Sequence, residues 1–137
     1  MRPRLVPELV CSDLARSLDF YVGVLGFAVV YERTEERFAY LEREGAELML
    51  EQPTARRFVA GDLETPYGRG LNLQIEVSDV EALYQTVRAK GVRLFLELED
   101  RWYRRDGELR GSRQFVVQDP DGYLLRFFQD IGTRPAP

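Results

Sequence analysis

Two stretches of this chain repeat one pattern, and that repetition limits the available folds more than any other feature. The first runs Val6-Pro7-Glu8-Leu9-Val10-Cys11-Ser12-Asp13-Leu14, continues through Ala15 to Leu25 and stops at Gly26. The second runs Asn72-Leu73-Gln74-Ile75-Glu76-Val77-Ser78-Asp79-Val80, continues through Glu81 to Lys90 and stops at Gly91. Each reads as an alternating strand, a Ser-Asp pair able to cap a helix, about three helical turns and a glycine stop. Helical spacing places Leu14, Leu18, Tyr21 and Leu25 on one face, and Val80, Leu83, Tyr84 and Val87 on one face of the other helix. Three strand-like stretches follow each helix. They are Phe27–Tyr31, Arg37–Leu41 and Glu47–Glu51, then Val92–Leu98, Gln114–Gln118 and Tyr123–Phe128. The last strand of each set is entered through a short acidic-Gly turn, Glu44-Gly45 and Asp121-Gly122.

The same elements recurring in the same order predict a duplicated βαβββ unit, an α+β fold of two tandem modules. Module 1 spans about residues 4–52, a linker carrying Pro and Gly covers 53–70, and module 2 spans 71–130. The tail, 131–137, has little apolar content and is expected to be disordered. At 137 residues, both modules fit within a single domain.

Composition removes much chemistry. The chain has no histidine and one cysteine, Cys11. Imidazole is the usual general base near neutral pH and the commonest ligand of catalytic zinc, iron or nickel. Ser-His-Asp and Cys-His nucleophile systems, HExxH zinc sites and two-His-one-carboxylate iron sites are therefore excluded. An all-oxygen metal site, acid/base chemistry on carboxylates, or binding without chemistry remain. A net charge of −4 argues against nonspecific affinity for nucleic acid or anionic lipid. The longest apolar run, Val22 to Tyr31, is too short to span a bilayer, so no membrane partner is expected. Met1-Arg2-Pro3-Arg4 has no hydrophobic segment behind it, so no signal peptide is expected. A lone cysteine fits a reducing cytoplasm.

The residues Val10-Cys11-Ser12-Asp13-Leu14 with Ser17, Phe20-Tyr21 and Leu25-Gly26-Phe27, with Val77-Ser78-Asp79-Val80 and Asp119-Pro120-Asp121-Gly122-Tyr123-Leu124-Leu125, resemble the vicinal-oxygen-chelate superfamily. Glyoxalase I, extradiol dioxygenases and fosfomycin- and bleomycin-resistance proteins belong to that superfamily, and the likeness covers roughly Leu5 to Asp130. The resemblance implies paired βαβββ modules whose mixed sheets curl around a cleft, usually in a homodimer. It also implies where the metalloenzymes hold their metal: the positions of Val6, Met49, Asn72 and Arg126 in this chain. Val and Met offer no hard donor, Asn one carbonyl oxygen, and Arg a fixed positive charge. This pattern resembles the metal-free, bleomycin-resistance branch, with no cofactor.

If those positions face inward, alternation assigns further residues to the ligand wall. Strand one presents Val6, Glu8 and Val10, with Leu5, Leu9 and Cys11 toward the helices. Glu47, Met49 and Glu51 follow from strand four, Asn72, Gln74 and Glu76 from strand five, and Leu124, Arg126 and Phe128 from the last strand. Glu8, Glu47, Glu51 and Glu76 against Arg126 give this wall a charge of about −3, suited to a cationic ligand. Trp102 and Tyr103 sit in a stretch, Leu98–Arg105, that reads as a loop suited to stacking on an aromatic ligand, or to anchoring an interface. Asp119 and Asp121 are expected to shape their turn.

Three functions compete. The first is binding and sequestration of a bleomycin-like cationic, aromatic small molecule in a dimer cleft, with no catalytic residue. The second is a metal-independent isomerase or lyase using Glu8, Glu51 or Glu76 as base, with Arg126 stabilising an oxyanion. The third is a ligand-sensing module without catalysis.

Overall fold

A computed structural model describes residues 2–54 and 58–137; linker residues 55–57 lie outside the described residues. The elements follow the predicted order: β1 (Glu8–Val10), α1 (Leu14–Tyr21), β2 (Ala28–Arg33), β3 (Phe38–Arg43) and β4 (Ala46–Glu51), then β5 (Asn72–Glu76), α2 (Val80–Ala89), β6 (Leu94–Arg105), β7 (Glu108–Gln118) and β8 (Leu124–Pro135). Each βαβββ module forms one four-stranded mixed sheet, ordered β1-β4-β3-β2 and β5-β8-β7-β6. In each sheet the opening strand runs parallel to the closing one, and the other pairs are antiparallel. A parallel pair requires a long crossover, which the helix and the intervening hairpin supply.

Both helices start where the Ser-Asp pairs predict. Asp13 accepts from the backbone N–H of Arg16 at 3.2 Å, and Asp79 from that of Ala82 at 3.0 Å, satisfying donors that a helix N-terminus leaves free. α1 ends at Tyr21 rather than Leu25. The chain widens there, with the Leu25 N–H bonded five residues back to Phe20. Between β3 and β4, Glu44 and Gly45 both adopt positive φ, 48° and 89°, the geometry whose twist suits a two-residue hairpin.

The chain divides into two compact units, one comprising residues up to Tyr67 plus Asp119–Gly122, the other Gly68–Gln118 plus Tyr123–Pro137. The first unit buries Leu9, Cys11, Tyr21, Leu25, Phe27, Leu41, Leu48 and Leu50. Alternation explains the set, since Leu48 and Leu50 point one way and Glu47, Met49 and Glu51 the other. Tyr21 meets Phe27 edge-on at 5.8 Å. The second unit buries Ile75, Val80, Leu83, Val87, Phe115, Val117, Leu125 and Phe127, with the Phe115 and Phe127 rings stacked at 5.6 Å.

Asp119 and Asp121 do more than shape a turn. Both are buried, 6% and 3% exposed, and each is bonded into the first unit. Asp121 accepts from the Ser12 N–H at 3.0 Å and from the Ser12 hydroxyl, with Arg16 at 3.6 Å. Asp119 accepts from the Tyr21 hydroxyl at 2.8 Å and from the backbone N–H groups of Asp121 and Gly122, both at 2.9 Å. Gly122 adopts φ 104°, and a Cβ there would lie 2.4 Å from Pro66.

Three expectations are corrected. Leu98–Arg105 belongs to β6 and pairs with β7 as far as Arg105↔Glu108, so Trp102 and Tyr103 stand on a strand rather than a loop. The tail is ordered as far as Pro135: Glu108, Leu109 and Arg110 pair with Pro135, Arg134 and Thr133, which supplies the backbone partners that composition could not reveal. Leu5 is 81% exposed instead of packing toward a helix, because β1 begins only at Glu8.

Removing the Asp121 carboxylate strands the Ser12 donors, so Asp121→Ala is expected to cost about 1–3 kcal/mol. Urea unfolding should show a lower midpoint with little change in slope; an unchanged midpoint would show that these bonds contribute nothing net.

Candidate ligand-binding site

The solvent-facing side of the second sheet carries a cavity of about 510 Å³. β5 contributes Gln74 and Glu76, and β8 contributes Arg126, Phe128 and Asp130. β7 adds Arg110, Gly111, Ser112 and Gln114, and β6 adds Tyr103 and Arg105. Alternation builds the wall: on β8, Leu125 and Phe127 are fully buried in the core while Arg126 and Phe128 face the cavity. Parallel pairing then sets Arg126 opposite Gln74 and Phe128 opposite Glu76.

A buried amide organises the far side. Gln114, 3% exposed, donates through Nε2 to Tyr103 Oη at 2.8 Å and to Glu99 at 3.0 Å, and its Oε1 accepts from Ser112 at 3.3 Å. The Tyr103 hydroxyl thus uses a lone pair toward Gln114 and keeps its own proton available to the cavity.

The arginines differ in their partners. Arg110 is paired with Asp130 at 2.6 Å, and Arg105 with Glu108 at 3.4 Å. Arg126 has no carboxylate partner among the described residues; its one side-chain bond runs from Nη2 to Gln74 at 2.6 Å. The cavity wall therefore holds three arginines against two carboxylates, Glu76 and Asp130. This cavity is less acidic than the wall expected from sequence, because β7 and β6 supply Arg110 and Arg105, which were not among the expected residues.

Of the residues singled out from sequence, Gln74, Glu76, Tyr103, Arg126 and Phe128 come together here. Asn72 shares their face but lies outside the cavity, opposite Leu124. Trp102 lies beside Gly111, its ring covered by the Arg134 guanidinium at 4.0 Å. A Cβ on Gly111 would sit 2.8 Å from that ring and 2.7 Å from Ile131. The ladder has a bulge there, with Ile131 and Gly132 opposite Gly111, while Arg110 and Ser112 on either side of Gly111 line the cavity. Arg105, Arg110, Ser112, Gln114 and Asp130 were missed; extending the period-2 pattern through 98–118 would have found the first four, and carrying the alternation of Arg126 and Phe128 two residues further would have found Asp130.

Glu8, Glu47, Met49 and Glu51 lie together on the first sheet, where Glu8 is opposite Met49. Three aromatic residues join them. Tyr31 stacks on Tyr40 at 5.1 Å, Arg33 covers Phe38 at 4.0 Å, and the Tyr40 hydroxyl donates to Glu47 at 2.6 Å. Burial, then the neighbouring Glu51 charge, pushes the Glu8 carboxyl above its usual range, and Arg33 opposes them. Cys11 is an inert core thiol, pushed up to about 11 chiefly by burial.

Among the described residues, no group of three or more His, Cys, Asp or Glu side chains is placed to hold a metal ion. The donors at the four positions named above do not fit one either. They are an aliphatic group, a thioether, an amide and a guanidinium.

The profile of the glyoxalase/bleomycin resistance protein/dioxygenase superfamily matches residues 5–127. The chain belongs to this superfamily. It is 28% identical over 135 residues to a bleomycin resistance protein of Geobacillus stearothermophilus, covering 92% of this chain and 96% of the relative. It is 30% identical over 133 residues to a lactoylglutathione lyase of Haemophilus influenzae, covering 90% and 89%. The superfamily fold recurs in the crystal structure of TioX from Micromonospora sp. ML1, with a TM-score of 0.71 and 23% identity over 94% of this chain and all of that one.

A carboxyl with a raised pKa in the folded state opposes folding once ionised, and this penalty vanishes as pH falls through that pKa. Glu8→Gln is therefore expected to raise stability near pH 7 and to lose that advantage below about pH 4. Thermal unfolding across this range provides the check, and an advantage that persists in acid would assign the effect to something other than charge.

Proposed function

We propose that this protein is a metal-independent small-molecule binding protein that sequesters a cationic, aromatic compound of the bleomycin class. The observation that carries the metal-independent part of this reading is Arg126: a guanidinium, without a carboxylate partner among the described residues, facing a cavity of about 510 Å³. It stands where the resemblance puts the metalloenzymes' glutamate, and a fixed positive charge there opposes a divalent cation. A cavity of that size suits a drug-sized ligand, and Phe128 and Tyr103 give it apolar surface beside hydrogen-bonding groups. On the first sheet, Glu8, Glu47 and Glu51 beside the exposed Tyr31 ring suit a cationic aromatic group. The bleomycin resistance proteins among the relatives support the same class of ligand. The reading includes a homodimer in the cytoplasm, and the exposed apolar edge strand β2, with Val29, Val30 and Tyr31, supports self-association.

A second reading, a metal-independent isomerase or lyase, draws on the lactoylglutathione lyase relative and on Glu8, whose raised pKa suits a general base. Sequestration requires no such group; it requires tight binding, roughly 8–12 kcal/mol for micromolar to nanomolar affinity. Isothermal titration calorimetry with metal-free bleomycin is expected to show saturable binding in that range, weakened several-fold in Glu8→Gln/Glu51→Gln. Heats indistinguishable from dilution would reject the bleomycin class, and compound altered after incubation would favour the enzyme.

A further inference from the structure

We propose that the cavity of the second sheet contains an anion-binding subsite centred on Arg126, which takes a carboxylate or sulfonate group of a ligand whose apolar part lies on Phe128. The proposal rests on the reading of this cavity as a ligand site and adds the sign of the group that docks there. This cavity selects an anionic group.

The argument starts from what Arg126 lacks. A guanidinium carries five N–H donors in a rigid fork matched to a planar anion. Arg126 uses one nitrogen, Nη2, on the neutral amide oxygen of Gln74, and its buried Nε has no acceptor among the described residues. Leaving a buried donor on a charged group unmet is unfavourable, so such groups normally find a partner. The other two arginines of the cavity conform, Arg110 on Asp130 and Arg105 on Glu108. Glu76 lines the same wall, yet the bond from Arg126 runs to Gln74 instead.

The surroundings supply the rest of a receptor. Gln74 fixes the guanidinium by a 2.6 Å bond without neutralising it. On the opposite strands, Gln114 holds Tyr103 by its oxygen, leaving the phenol O–H to donate into the cavity. Phe128, two residues along β8 from Arg126 on the same face, offers an apolar ring in the same lining. Two donors and an aromatic surface describe a receptor for an aromatic or amphipathic anion. A charge-assisted bond to a group already held in place loses little side-chain entropy on binding.

Two dyes of one ring system isolate the charge. 8-Anilinonaphthalene-1-sulfonate carries a sulfonate, and N-phenyl-1-naphthylamine is the same skeleton without it. Fluorescence titrations of the full chain are expected to show tighter binding of the sulfonate than of the neutral amine. Arg126→Gln should weaken the sulfonate about tenfold, the scale of one charge-assisted hydrogen bond, and move the amine less than about twofold. Arg126→Lys should retain most sulfonate affinity, while Arg88→Gln, on α2, controls for lost charge alone. Wild-type protein gives an independent measure: added sodium chloride should lower the sulfonate-to-amine affinity ratio. Equal affinity for both dyes, or equal loss of both in Arg126→Gln, overturns the anion subsite and leaves the cavity as a binding site. Failure of both dyes to bind wild-type protein overturns the subsite together with the reading of this cavity. Bleomycin calorimetry tests sequestration separately.

Discussion

The parallel pairing of β5 with β8 fixes the register on which the candidate site depends. These strands are more than fifty residues apart in sequence, yet Asn72 to Glu76 lie opposite Leu124 to Phe128 one for one. A slip by one residue would send Arg126 into the core and bring Leu125 to the cavity, since successive side chains alternate between faces. The slip is opposed by Leu125 and Phe127, which are fully buried, and by Ile75 behind them. Hydrophobic packing on one face thus sets the position of a charge on the other. The same arrangement in the first sheet holds Glu8 against Met49 and buries Leu9 and Leu50 behind them.

Charge is distributed unevenly over the two sheets. The first gathers Glu8, Glu47 and Glu51 around a stack of Tyr31 and Tyr40. The cavity of the second gathers three arginines; Arg105 and Arg110 are paired with carboxylates, and Arg126, among the described residues, is not. A net charge of −4 conceals this division, because composition counts charges without placing them. Binding specificity depends on the placement.

The repeat, both helix caps, the order of elements along each module and the sets of residues that share a face on β4, β5 and β8 were legible in the sequence, because each follows from a local period or a capping pair. Gln74, Glu76, Arg126 and Phe128 were found in this way. The long β6–β7 hairpin was not, since Glu99 to Arg105 is mostly charged, and a charged strand paired on one side looks like a loop. Phe38 and Tyr40 were also missed, being buried on the face that alternation marks as polar, beneath Tyr31 and Arg33. The roles of Asp119 and Asp121 are least legible. Their partners Tyr21 and Ser12 lie about a hundred residues away, and no local pattern reports a bond of that range.

That bond has a consequence for how the molecule can be taken apart. The sequence repeats as two halves, but the compact units do not follow the repeat, because Asp119–Gly122 belongs to the first unit while flanked on both sides by strands of the second. A fragment carrying only the first repeat would leave the hydroxyls of Ser12 and Tyr21 without these acceptors. The duplication therefore no longer yields two separable modules. Each copy has become a part that is incomplete when cut at the boundary of its own repeat.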